Sequence, residues 1–175
     1  MKNIKLLALL CTLSFFFASC TEPKSEWTNY YGYTNESVIG TYSFSNISTA
    51  FDGVEGIDRH SCPDAEVRIE ALSSESGKLK FTINCPDEEY SETIEGIPTP
   101  NEDDFMIRMS TGIQHYGGKI IAHNVTAYVM KNDKQQLRLH GYAAVNTYKE
   151  VDPGTGVVNY EPINGEYYYF DVIKN

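Results

Sequence analysis

The chain has 175 residues, 41% apolar and 22% charged, which suits one domain with a full hydrophobic core. Its 24 acidic residues against 14 basic ones give a net charge of −10 at pH 7. A surface this acidic repels nucleic acid and anionic lipid headgroups, so nucleic acid is set aside as a partner.

Lys2 and Lys5 precede an apolar run over residues 6–17, interrupted only by Thr12 and Ser14. Phe17-Ala18-Ser19 then leads into Cys20. A charged start, an apolar middle and a small-residue end are the three parts of a secretory signal. The apolar part is shorter than the about 20 residues a membrane-spanning helix needs, and Thr21-Glu22-Pro23-Lys24 ends it. Phe17-Ala18-Ser19-Cys20 resembles the bacterial lipobox. The resemblance implies that residues 1–19 are removed, that Cys20 is di- or triacylated, and that the domain is tied to a membrane through that lipid. Several acyl chains anchor firmly where one binds only marginally. Thr21, in place of Asp, implies the bacterial outer membrane, on its periplasmic or its cell-surface face. The remaining 156 residues hold 12 basic and 24 acidic side chains, a net −12.

Residues 20–37 read as the lipidated N-terminus and a polar tether interspersed with Trp27, Tyr30, Tyr31 and Tyr33, and 38–175 as a single domain. A first strand is expected over 38–46. One short helix fits residues 49–59. Residues 66–72 alternate, with Val67, Ile69 and Ala71 inward against Glu66, Arg68 and Glu70 outward. A polar turn at 73–77 leads to 78–85, where Leu79, Phe81 and Ile83 face in and Lys80, Thr82 and Asn84 face out. This is a hairpin with one wet face. Further strands are expected over 90–97, 104–109, 119–131, 136–148 and 166–174. They are separated by Gly, Pro, Asn and Asp clusters that turn the backbone by positive or fixed φ. No window carries a sustained, capped helical stripe.

Of the four cysteines, Cys11 leaves with the signal and Cys20 takes lipid. Cys62 and Cys85 remain, an even pair in a disulfide-permissive compartment, placed at the open end of the hairpin. A disulfide is expected. A metal or redox pair is the alternative, but the two lie 23 positions apart without C-x-x-C spacing.

Eight strands with short connections imply an all-β fold, an eight-stranded antiparallel up-and-down barrel with a β-sandwich as second choice. A barrel is preferred because closure removes exposed edges. The outward residues are charged, unlike the apolar band of a membrane barrel. Gly40-Thr41-Tyr42, in the string Val38-Ile39-Gly40-Thr41-Tyr42-Ser43-Phe44, resembles the Gly-x-Trp start of the calycins, the lipocalin and fatty-acid-binding barrels. That resemblance implies a structural Gly40, a Tyr42 ring plugging the closed end, and a basic residue on the last strand against it, for which Lys174 is the candidate.

The histidines His60, His115, His123 and His140 form none of the spacings of zinc peptidases. A turn near Asn132-Asp133 would set His123 and His140 almost opposite, a conceivable haem or metal pair. Alternation through Leu137, Leu139 and Val145 instead puts His140 outside, and surface histidines are the plainer reading. The acidic strings Asp87-Glu88-Glu89 and Glu102-Asp103-Asp104 lack the pattern of a calcium loop and read as solvated charge. No G-x-S-x-G or S-x-x-K occurs, and Gly117-Gly118-Lys119 precedes a strand rather than the helix a phosphate loop needs. No catalytic residue, metal site or cofactor is therefore assigned.

Thirteen tyrosines are the unusual surplus, among them Tyr142, Tyr148, Tyr160, Tyr167, Tyr168 and Tyr169. An apolar ring with a polar tip suits a pocket mouth, a glycan platform or a protein interface, and equally suits strands. Two functions follow. The first is a carrier of a small apolar ligand, with Phe44, Phe81, Phe105, Ile107 and Val145 lining a hollow barrel. The alternative is a non-catalytic surface interaction module that meets protein or glycan. Interior volume separates them.

Overall fold

The computed structural model describes residues 26–44, 57–72, 77–98, 103–151, 154, 156 and 158–175. The signal segment, Cys20 and residues 49–56 of the expected helix lie outside the described residues. In chain order the elements are β1 (Thr28–Asn29), a single helical turn α1 (Asn35–Val38), β2 (Gly40–Phe44), β3 (Asp58–Cys62), β4 (Glu66–Ala71), β5 (Leu79–Cys85), β6 (Tyr90–Gly96), β7 (Met106–Ser110), β8 (Gln114–Tyr116), β9 (Lys119–Lys131), β10 (Leu137–Val151) and β11 (Asn159–Lys174). The fold is all-β, as the alternation requires. α1 exists because Thr34 and Ser37 cap each other's backbone amides.

The hairpin of β4 and β5 pairs Val67 with Ile83 and Ile69 with Phe81 inward, and Arg68 with Thr82 and Glu70 with Lys80 outward. Hydrogen bonding runs in the order β1-β9-β10-β11-β2-β4-β5-β6, antiparallel throughout. One edge of β9 carries β8, β7 and β1 in succession. β8 reaches β9 through Gly117-Gly118, both at positive φ, the pair a two-residue hairpin turn favours. β3 runs parallel to β11 alongside residues 166–170, just beyond the stretch that β2 occupies.

The hydrogen-bonded sheet is not closed into a barrel. It curls until β6 lies beside β7 with no ladder between them. Side chains span that seam instead. The Met109 side chain packs over Gly96, 3.5 Å from where a methyl group would sit, and His123 Nδ1 lies 2.8 Å from Glu92 Oε2. Nδ1 is buried there without a directed hydrogen bond, so the contact is one of proximity.

One cluster fills the space inside the curl, including Tyr42, Val67, Ile69, Leu79, Phe81, Ile83, Ile94, Ile107, Val125, Leu139, Phe170 and Val172. Phe81 and Phe170 meet across it at 6.0 Å. Within the stretch read as a tether, residues from Trp27 on pack on the domain. β1 pairs with β9, and the Tyr33 side chain is buried and donates its hydroxyl to the Met106 carbonyl at 2.9 Å. Burial, and then the Asp104 carboxylate nearby, push that phenol up to about 12.

Cys62 and Cys85 are joined in a disulfide, their Cα atoms 5.5 Å apart. It ties the end of β3 to the end of β5. Replacing both cysteines by serine is expected to cost about 3 kcal/mol through the freed loop of the unfolded chain. Urea unfolding measures this; an unchanged midpoint would show that the crosslink adds no stability.

Candidate functional site

The side chains expected to line a ligand cavity are placed differently from one another. Phe81 and Ile107 are 0% exposed. A cavity able to hold a ligand leaves its lining open to a water-sized sphere, and these side chains touch only protein. Val145 packs half-buried against the same cluster. Phe44, expected to point inward, is 49% exposed at the end of β2. Phe105 lies outside the core and packs edge-on against Tyr31 at 4.9 Å and beside Tyr128 at 5.7 Å.

His123 and His140, expected nearly opposite, are not. His123 pairs with Val145 and His140 with Tyr128, so the two point to opposite faces of the sheet. Each histidine meets a carboxylate instead: His60 with Glu88 at 2.9 Å, His115 with Glu150 at 3.7 Å, His123 with Glu92 and His140 with Asp171 at 3.6 Å. Among the described residues, no group of three His, Cys, Asp or Glu side chains is placed to hold a metal ion.

The outer face of β7, β9, β10 and β11 is organised differently. Strand register sets its residues in rows. One row runs Arg108, Thr126, Tyr142, Tyr169 across the four strands, and the next runs Ser110, Asn124, Ala144, Tyr167. A third adds Ala122, Asn146 and Gly165. Tyrosines therefore make one wall, and the hydroxyl, amide and guanidinium side chains of β7 and β9 make the other. Ala144, buried, forms the floor. The trough between them holds about 370 Å³, within the range of small-ligand pockets.

Its tyrosine wall is fixed by mutual packing. The Tyr142 ring lies 5.3 Å from Tyr167 and 5.7 Å from Tyr169. Tyr167 leans over Gly165, where any side chain would strike its ring, and donates its hydroxyl to Asn146 Oδ1 at 3.4 Å. Burial, and then the neighbouring phenols of Tyr142, Tyr169 and Tyr148, push the Tyr167 hydroxyl up, so it stays a neutral donor. Opposite, Arg108 is the one charged lining residue, and Asp104 lies 3.7 Å from it.

The next rows of the same face hold Tyr128, His140 and Asp171, then Met130, Arg138 and Ile173. Arg138 grips Asp171 through two parallel hydrogen bonds, and the Trp27 ring lies 5.7 Å from its guanidinium carbon. Arg138 is buried here, and its pairing is structural. A second recess, about 450 Å³, is lined by Tyr30, Ser37, Lys131 and Lys174 among others. Its lysines are already engaged, Lys131 over Tyr30 at 4.5 Å and Lys174 with the Ser37 carbonyl at 2.9 Å.

No family model, curated protein or solved structure matches this chain. The site therefore rests on its own chemistry. The tyrosines were visible in the sequence as a surplus, and Tyr167 and Tyr169 do share one face while Tyr168 takes the other. Asn124, Thr126, Ser110, Arg108 and Asn146 carried no signal of their own. Register across the turn at Asn132–Gln136 joins Asn124 and Thr126 to the tyrosines, and the pairing of β7 with β9 brings in Arg108 and Ser110.

Proposed function

We propose that this chain is an exported, lipid-anchored β domain that acts without catalysis as an interaction module, meeting its partner on the outer face of β7, β9, β10 and β11. The observation that carries this reading is the contrast, among the described residues, between a core in which Phe81 and Ile107 are fully buried and an open trough with unlike walls. A carrier needs the reverse. Of the two functions the sequence left standing, the interaction module is therefore preferred to the carrier of an apolar ligand.

The frame we favour is calycin-like. Taken in order, β2, β4, β5, β6, β7, β9, β10 and β11 make an eight-stranded up-and-down ring, with side chains rather than backbone bonds spanning the seam between β6 and β7. The Gly40 and Tyr42 resemblance is supported by Lys174, whose Nζ lies 6.0 Å from the centre of the buried Tyr42 ring. Tyr42 in turn donates its hydroxyl to the Val38 carbonyl at 2.7 Å.

Native mass spectrometry of the lipoprotein, released from its membrane in detergent, tests the choice. A polypeptide mass carrying only the acyl groups is expected. An additional apolar mass, lost on denaturation, would reinstate the carrier. Anchorage is tested by Cys20→Ala, which is expected to move the protein from the membrane pellet to the soluble fraction; persistence in the pellet would sink the lipid anchor.

A further inference from the structure

From the trough walled by Tyr142 and Tyr167 we infer a binding site for a neutral oligosaccharide. This inference rests on the interaction-module reading and names the partner's chemistry. A pyranose ring is itself two-sided: one face presents a patch of C–H bonds, and the rim presents hydroxyl groups. The trough has the complementary halves. Tyrosine rings offer apolar faces of negative potential to the C–H patch. Asn124, Asn146, Thr126 and Ser110 offer amide and hydroxyl groups, each able to donate and accept, to the rim. Ala144 keeps the floor low, so a ring can lie flat against the wall instead of standing on the strand. The volume admits one or two sugar rings.

Charge selects the class further. The site's single lining cation, Arg108, shares its field with Asp104. The chain as a whole carries ten more acidic than basic side chains. An acidic glycan would meet net repulsion and at most one shared guanidinium, whereas a neutral one loses nothing on approach. A peptide partner is the less apt occupant. The trough offers side-chain amides and hydroxyls on the face of paired strands rather than the broad apolar patch that an amphipathic peptide uses.

Saturation-transfer NMR on the detergent-solubilised full chain is the direct test, with maltohexaose, cellohexaose, xylohexaose and mannohexaose as separate probes and the hexamer of galacturonic acid as the acidic comparison. Saturation is expected to reach the ring C–H protons of at least one neutral probe. Tyr167→Ala and Tyr142→Ala are each expected to weaken that binding about tenfold, the loss of one good ring contact. Tyr167→Phe, which keeps the ring and the fold, is expected to retain most of it. Silence with all four neutral probes, binding that survives both alanine substitutions, or a preference for the galacturonate hexamer would each overturn the inference. Such a failure leaves the interaction module standing if the native mass remains free of an apolar ligand. An apolar mass in the interior would remove both.

Discussion

Asp171→Ala is expected to destabilise the domain by about 3–5 kcal/mol, because it strands a buried cation. The Arg138 side chain is only 6% exposed, beneath Trp27 and between the strands carrying Met130 and Ile173. Its charge is satisfied by the two-pronged contact with Asp171. Removing the carboxylate leaves a guanidinium without its counter-charge in a place water reaches poorly. Replacing both partners by apolar residues of similar size, Arg138→Met with Asp171→Leu, removes the uncompensated charge as well as the pair. That double variant is expected to recover most of the loss. Urea unfolding of the two single variants and the double closes the cycle. If Asp171→Ala unfolds at the parent midpoint, the pair lies in water and the account of this face is wrong.

The same carboxylate sets a direction for pH. Burial alone would raise it, but the hydrogen bonds from His140 and Arg138 and their charges outweigh burial and hold Asp171 below the ordinary 3.8. A group ionised more readily in the folded state contributes stability that is fully present above its unfolded value. That contribution fades as pH falls below 3.8 and through the lower folded value. Asp171→Asn is therefore expected to flatten the acid limb of the stability profile. A profile that stays as steep in this variant would assign acid unfolding to other carboxylates.

Much of the architecture was legible because the buried strands obey a two-residue period. Val67, Ile69, Phe81 and Ile83 mark β4 and β5, and residues 119–131 coincide with β9. The pattern failed where tertiary pairing supplies the order. β3, Asp58–Cys62, lacks alternating apolar residues; it is a strand because β11 offers it an edge and the disulfide holds its end. Residues 159–165 of β11 contain Pro162, which reads as a break. It is tolerated opposite Tyr148, where the register of β10 and β11 shifts. The seam between β6 and β7 was illegible for a related reason, since alternation tells which face a residue takes but not whether two strands exchange hydrogen bonds.

The candidate site was half legible on the same grounds. Composition exposes a surplus of tyrosine but not its arrangement, and polar residues on the wet face of a strand are individually unremarked. Thr126 and Asn124 acquire meaning only because β9 sets them beside Tyr142 and Ala144. A one-residue slip in that register would send Tyr142 inward and dissolve the trough. The trough depends on register more than on residue type.

Gly141→Ala tests that dependence most severely. Gly141 lies in β10 opposite Ala127, next to the Thr126–Tyr142 row. A methyl group there would sit 2.6 Å from Ala127 Cα and closer still to the Thr126 carbonyl oxygen. Both obstacles are backbone, so no side-chain rotation relieves them, and one strand must move off the other. Overpacking of this kind costs about 1–3 kcal/mol, and this case is expected at or above the upper end. Ala143→Gly, two pairings further along, is the control, expected to cost only about 0.5–1 kcal/mol. Urea midpoints compare them. Because Thr126 belongs to the polar wall, a shift that accommodates the methyl also displaces that wall from Tyr142. The folded fraction of Gly141→Ala is therefore expected to lose saccharide binding without any change to a residue that would touch the sugar. Parent-like stability would show that β9 and β10 do not approach as closely as the trough requires.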